Sequence, residues 1–361
     1  MTVSISPKGM HFTRVALAIA RAKGDLVYAA TLAEKKWGSP SIPAIILRSA
    51  VSAGSTSDTT WASSLAEYRV AASEFIEALR PLTLLGRMTG MRHAPMNVKI
   101  PRATSGSSVA WVGEGRPIPL SALSTDLVML KIFKLAGMIA STLELVMLST
   151  PGADGLLRAD LLAAVAAMTD QALIDPNAAG EAGVSPASIT NGATQIASTG
   201  SSVAEISADL ESLFGELADN GITMASPYFI MSPRTAFKLA MKRDTNGALA
   251  FPGMGARGGE IAGVPALVTA ANKEANDSPQ SSNIVLLDAA ELILADTDQI
   301  TLDMSTETSM QMNTAPDSPP TASTVMVSLW QQNLAAWRVI RPINWEMRRP
   351  GAVATLTGCV Y

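Results

Sequence analysis

Apolar positions recur at helical spacing in two clean stretches of the chain. From 155 to 174, Leu157, Leu161, Val165, Met168 and Ala172 fall near one face of a helix. Asp154 is placed to cap its start and Pro176 follows its end. At about 1.5 Å per residue such a helix spans roughly 30 Å, long enough to be a spine. The second stretch runs from 203 to 220. Val203, Ile206, Leu210, Leu213, Phe214 and Leu217 make its apolar face, Ser202 and Glu205 fit a capping box, and Gly221 supplies the stop. Tyr228 to Met231 then reads as a short buried strand, and Ser232-Pro233 opens a third helix that fades by Arg243, before a turn at Asn246-Gly247.

Elsewhere the period changes to two. Val98 and Ile100 alternate with polar neighbours, an apolar run covers 109–112, and Gly113-Glu114-Gly115 breaks it. Pro117 and Pro119 keep the next piece out of a ladder, and 127–133 runs back as a second strand. The pattern predicts a long two-stranded arm with a Gly/Pro tip. A lone hairpin is marginal in water, so this one is better stabilised lying on a neighbouring molecule. Beyond 284, strands are expected at 284–287, 292–294, 300–304, 325–330, 336–340 and 353–356, with a Pro/Ser loop at 314–323. The class is α+β, without an internal repeat. Residues 1 to 90 differ from the rest. Helices are expected at 12–36 and 61–79, separated by Gly38-Ser39-Pro40 and a Ser/Thr/Gly linker at 52–60. This piece reads as an arm or accessory segment and not as a complete core.

Composition sharpens the picture. Hydrophobic residues make up 48% of the 361, yet charged residues only 16%, against about 25% in an ordinary soluble domain. So little charge implies that much of the surface is covered, by a partner chain or by a membrane. A membrane fits poorly. The best apolar stretch, 127–148, carries Lys131, Lys134 and Glu144, where a spanning helix needs about 20 nearly uncharged residues. The run 15–20 is flanked by Arg14 and Arg21 and is too short for a signal-peptide core. A soluble protein made in the cytoplasm is expected. The net charge of −4 offers no strong basic field to nucleic acid, and one cysteine, Cys359, excludes an intrachain disulfide and a multi-cysteine metal site.

Candidate chemistry is sparse. The histidines are His11 and His93, neither with Asp, Glu or Cys at triad or ligand spacing. Gly253 to Gly258 matches G-x-G-x-x-G, but Phe251-Pro252 precedes it and no amphipathic helix follows, so a surface loop is expected instead of a phosphate cradle. Asp296 and Asp298 lack the glycine and distal glutamate of a calcium loop and read as an acidic turn. Arg341, Arg348 and Arg349 interleave with Trp345, a pattern that suits weak contact with a phosphate backbone or plain alternation on an exposed strand. Glu114, between two glycines, suits either an intermolecular salt bridge or a solubilising role. No catalytic residue, cofactor or metal site is expected.

These stretches, in order, resemble the major capsid protein of tailed bacteriophages with the HK97-like fold. The resemblance rests on Pro101-Arg102, Trp111-Val112-Gly113-Glu114-Gly115, Ile118-Pro119, Lys131, Lys134-Leu135-Ala136, Ser141 and Glu144-Leu145. It continues through the long helix at 155–174, Pro227 to Pro233, Ile261-Ala262-Gly263-Val264-Pro265 and the strand from Ala336 to Arg341. It implies an N-terminal arm or scaffolding-like segment (1–90), an arm end with an extended E-loop (91–145) and a peripheral domain with a spine helix (146–200). An axial domain (201–283), peripheral strands (284–348) and a C-terminal return to the axial domain (349–361) complete it. It also implies a non-enzymatic subunit of hexamers and pentamers in an icosahedral virion shell around double-stranded DNA. Portal, scaffold, maturation protease and decoration proteins are the implied partners. Trp111, Glu114, Arg116, Lys131 and Lys134 are the candidate inter-subunit contacts; Arg341, Arg348 and Arg349 are the candidate nucleic-acid contacts. The tip from Gly113 to Asp126 contains no lysine, which removes one route to a covalent cross-link. An encapsulin-like compartment shell and an enzyme with an unrecognised site remain the alternatives.

Overall fold

The computed structural model of the chain describes residues 10–22, 25–49, 74–105, 111–114, 116, 120, 124–144, 151–272, 281–297 and 300–361. Its longer helices are α1 (Met10–Arg21), α2 (Leu26–Trp37), α3 (Ile42–Ser49), α4 (Pro151–Ile174), α5 (Val203–Asp219) and α6 (Pro233–Met241). The strands are β1 (Arg92–His93), β2 (Lys99–Ser105), β3 (Ser124–Met129), β4 (Lys134–Thr142), β5 (Thr194–Ala197), β6 (Pro227–Met231), β7 (Met254–Gly255) and β8 (Gly258–Ile261). They continue with β9 (Val264–Val268), β10 (Ser282–Asp288), β11 (Leu292–Asp296), β12 (Thr301–Ser305), β13 (Ser309–Met310), β14 (Val327–Ser328), β15 (Leu334–Met347) and β16 (Val353–Cys359). The chain divides into two units, one formed by residues 1–82, 134–166 and 298–342, the other by 83–133, 167–297 and 343–361.

In the first unit the N-terminal helices share a core with later parts of the chain. Ala18, Ala29, Ala30, Ala33 and Ala44 of α1 to α3, with Ala22 just past α1, are buried with Leu47, Phe75 and Ile76, against Leu162, Val165 and Ala166 of α4. Alanine carries little hydrophobic signal, so the stripe is faint in the sequence, yet its small side chain lets helices approach closely. The helix expected over 12–36 is broken at Asp25, whose extended backbone places its carboxylate to accept the N–H groups of Val27 and Tyr28 and cap α2. α3 forms where no element was expected. Of the helix expected at 61–79, residues 51–73 lie outside the described residues; 74–79 are helical and a 3-10 turn, Arg80–Leu82, ends them. In the strands of this unit, β15 pairs antiparallel with β4, from Leu334 opposite Thr142 to Pro342 opposite Lys134, and with β12 on its other side.

The second unit is built on a sheet in the order β5-β16-β10-β6-β9-β8-β7. β10 sits inside it with Ile284, Val285, Leu286 and Leu287 all buried, which is why it reads as an unbroken apolar run. α5 packs over β16 and β5 and buries Ile206, Leu210, Leu213 and Leu217. Its capping box forms as expected, the Glu205 N–H donating to Ser202 Oγ and the Ser202 N–H to the Glu205 carboxylate. Phe214 meets Phe229 of β6 edge to face at 5.6 Å. α6 begins with Ser232 as cap and Pro233 in its first turn. β5, too short and polar to register as a strand, was not foreseen.

α4 also differs in detail. It starts at Pro151, so Asp154 lies inside the helix and does not cap it. Met168 is 55% exposed, while Thr169, Asp170 and Leu173 are buried. With alanine at so many positions, several faces of this helix look alike in sequence, and packing selects one.

Candidate assembly surfaces

β2 and β3 form a hairpin as expected, with Lys99 opposite Met129, Ala103 opposite Thr125, and a bulge before Ser105, though 111–112 and 130–133, expected as strand, are not. Its base is tied down. Asn97 adopts a left-handed backbone, φ +62°, and its N–H donates to the Leu130 carbonyl at 2.7 Å. Leu130 is buried against Ile293 and Ala295 of β11, with Ala94, Met96 and Ile100 packed beside them. Beyond that base the hairpin presents apolar groups to water. Leu127 and Met129 are exposed, and Trp111 and Leu120 are wholly so, at 105% and 101% of their reference areas. Glu114 and Arg116 lie exposed near Trp111 in sequence, and the side chains of Lys131 and Lys134 are exposed as well. Residues 106–110, 115, 117–119 and 121–123 of the tip lie outside the described residues. A tryptophan in full contact with water forfeits about 2–3 kcal/mol that burial would return. Such groups in one loop are the mark of an interaction surface.

The three arginines read as phosphate contacts have other occupations. Arg341 is buried. Arg348 Nε lies 3.0 Å from one oxygen of Glu291 and Arg349 Nη2 lies 2.8 Å from the other. Glu291 is itself almost wholly buried. Arg349 also donates to the Gly221 carbonyl, and its pairing with Glu291 raises its pKa. Arg348 and Arg349 thus tie the residues after β15 to Glu291, and the spacing of cations in the sequence could not distinguish that from outward alternation.

Sequence reasoning also missed the buried carboxylates. Asp170 of α4 accepts the Leu84 N–H at 2.7 Å and the Thr269 hydroxyl at 3.0 Å, while Arg87 donates to the Val268 carbonyl. Burial pushes the Asp170 carboxyl above its ordinary value; the Leu84 and Thr269 bonds and the Arg87 charge pull it partly back. Asp209 of α5 accepts from Ser198 Oγ, Thr199 Oγ1 and the Thr199 N–H. Asp288 accepts the N–H groups of Ala225, Ser226 and Ala290. Each aspartate fastens a loop whose backbone donors would otherwise be unsatisfied. Nothing in a lone aspartate's sequence context announces this.

The glycine motif at 253–258, expected as a surface loop, is instead a tight antiparallel turn between β7 and β8 at the edge of the sheet. A Cβ on Gly258 would collide with the Ala266 carbonyl oxygen and one on Gly259 with that of Gly253. The glycines serve close backbone approach within the sheet. His93 lies exposed in β1 and His11 half-buried in α1. Asp296 ends β11, and Asp298 lies outside the described residues. Among the described residues, no group of three His, Cys, Asp or Glu side chains is placed to hold a metal ion, and no helix is long and apolar enough to cross a membrane.

The fold has solved counterparts. A chain of Gordonia phage Cozz superposes with a TM-score of 0.54 at 18% identity, covering 74% of this chain and 84% of that one. One of Mycobacterium phage Ogopogo gives 0.55 at 17%, covering 76% and 91%. The capsid of a native GTA particle gives 0.54 at 13%, covering 76% and 89%. These define an α+β capsid fold of the HK97-like type. In sequence, the chain is 38% identical over 320 residues to the capsid polyprotein of Pseudomonas phage PAJU2, covering 87% of this chain and 48% of that protein. It is 25% identical over 373 residues to the major capsid protein of Klebsiella oxytoca phage phiKO2, covering 99% and 81%. The chain thus spans about half the length of the polyprotein. The phage capsid family model matches residues 70–357, and the chain belongs to that family. It is a structural capsid subunit, a component of the virion shell.

Proposed function

We propose that this chain is a major head subunit that assembles through hexamers and pentamers into an icosahedral shell around double-stranded DNA, in the host cytoplasm and without catalysing a reaction. The observation that carries the reading is the anchored hairpin whose outer part exposes Trp111, Leu120 and Leu127. That surface finds its cover on a neighbouring copy, with Glu114, Arg116, Lys131 and Lys134 as the polar contacts around it. In this reading α5, α6 and their sheet form the axial domain, with β5 and β10, expected among the peripheral residues, assigned to it because they pair with β16 and β6. α4 with β4, β12 and β15 forms the peripheral domain, and 91–145 supplies the E-loop. α1 to α3 are part of the subunit body. Contacts with DNA are weak and non-specific, and do not depend on Arg348 and Arg349, which are engaged with Glu291. Portal, scaffold, maturation protease and decoration proteins are the partners the family leads one to expect. The shell is held by non-covalent contacts at the lysine-free tip.

The test is sedimentation and electron microscopy of the purified chain. Rings or closed shells are expected, and Trp111→Ser should lower their yield roughly tenfold without changing the melting temperature of the unassembled subunit. A chain that stays monomeric at high concentration, with or without its natural scaffold, refutes the reading.

A further inference from the structure

Charge is segregated along the second unit. No lysine or arginine occurs between Arg158 and Arg234, a stretch that carries Glu205, Glu211, Glu216 and Asp219 in and around α5. The next stretch reverses sign: Arg234, Lys238, Lys242, Arg243 and Arg257 stand against Asp244 alone before Glu260. The fold puts these two stretches on different parts of one sheet. α5 packs over β16 and β5 at one edge, and its Glu216 accepts the Thr194 hydroxyl of β5 at 2.9 Å. α6 packs against β7, and it also reaches the β10 and β16 end of the sheet, where Thr235 Oγ1 bonds Ser282 Oγ and Lys238 donates to the Val360 carbonyl. Lys242 reaches back to the Ser201 carbonyl, near Glu205, so charge between the two helices is partly balanced within the chain. Glu211 and Asp219 are exposed on α5, and Arg234, Arg243 and Arg257 are exposed on and beyond α6, with Arg243 also donating to the Gly247 carbonyl.

α6 also carries an apolar face that the chain does not cover. Phe237 and Met241, one helical turn apart, are 53% and 58% exposed, and Leu249 joins them after the following turn at 43%. Basic residues rim this apolar centre, the anatomy of an interface with a desolvated middle and a charged edge. The complementary acidic surface is on α5 of the same molecule. Two different, complementary patches on one chain make a head-to-tail contact, which closes into a ring when the rotation allows.

We propose that the basic, apolar-centred face of α6 in one copy docks on the acidic outer face of α5 in the next, and that this contact closes the ring of subunits. The inference rests on the shell-subunit reading and adds to it which surfaces meet and in what sense. Its test is charge reversal in the full chain. Arg234→Glu with Arg243→Glu makes both faces acidic; Glu211→Lys with Asp219→Lys makes both basic. Each variant alone should lose roughly tenfold or more of its ring yield, through like-charge contact. The two mixed in equal amounts should recover even-membered rings, in which they alternate, and not odd-membered ones. One chain carrying all four changes should recover both kinds. Circular dichroism and melting of the unassembled variants control for folding, and Phe237→Ser with Arg257→Glu serves as a second basic-face variant should the first misfold. Variants that fold and form rings as the wild type does overturn the contact while leaving the shell reading intact. Failure of the mixture to recover even-membered rings also overturns it. A wild-type chain that forms no rings overturns both.

Discussion

Asp170 is a carboxylate inside a helix, held by a backbone donor, a hydroxyl and a nearby guanidinium. Burial still dominates and raises its pKa above the ordinary 3.8. The sign of the consequence follows from linkage. The folded chain keeps this proton where the unfolded chain has lost it, so the proton's contribution to stability is complete below 3.8 and fades as pH rises through the folded value. Asp170→Asn keeps the shape and an acceptor for the Leu84 N–H but has no proton to lose. In denaturant titrations from about pH 3.5 to 7, the stability of the wild type relative to this variant should therefore fall with rising pH. A constant or rising difference would show that the hydrogen bonds outweigh desolvation. None of this was legible in the sequence, where Asp170 is one acid among alanines and its partners Leu84 and Thr269 lie far away along the chain.

At the scale of elements, local rules were legible wherever one residue type has one physical use. The Ser202–Glu205 box, the Ser232-Pro233 start and the turn after Gly113 were all readable, because caps and breakers act within a few residues. Residues 253–258 are a sharper case. Their spacing imitates a phosphate loop, yet the reason for glycine is the nearness of carbonyls on neighbouring strands. Gly259→Ala should cost more than about 2 kcal/mol in urea unfolding, since its Cβ meets the Gly253 oxygen and its φ of +155° suits glycine. Gly183→Ala makes a useful comparison. Its φ is also positive, at +84°, but nothing lies within 4 Å of the added carbon, so only the backbone strain of about 1 kcal/mol should appear. Among the elements that escaped the sequence, α3 is short and rests on α1 and α2, and β5 is short and owes its form to β16, far away in the chain.

For the whole molecule, low charge and an ordered series of weak motifs pointed to a shell subunit, and membership of the phage capsid family carries that conclusion. The core that residues 10–49 share with α4 was not legible, because alanine packs without leaving a strong periodic mark. That core has a further consequence for how the subunit comes apart. Each buried alanine removes only one methyl group from water, worth about 0.8 kcal/mol, where a leucine or phenylalanine removes several times the area. A layer of helices sealed this way has a shallow free-energy well and opens before the apolar sheet around β10 does. In hydrogen-exchange mass spectrometry of the unassembled chain, peptides from α1 to α3 should exchange well before those covering Ile284 to Leu287. Equal protection would mean that the two open as one cooperative block. The alanines of α1 to α3 thus act as a seam, a place where the subunit can be remodelled at small cost while its strongest sheet stays closed.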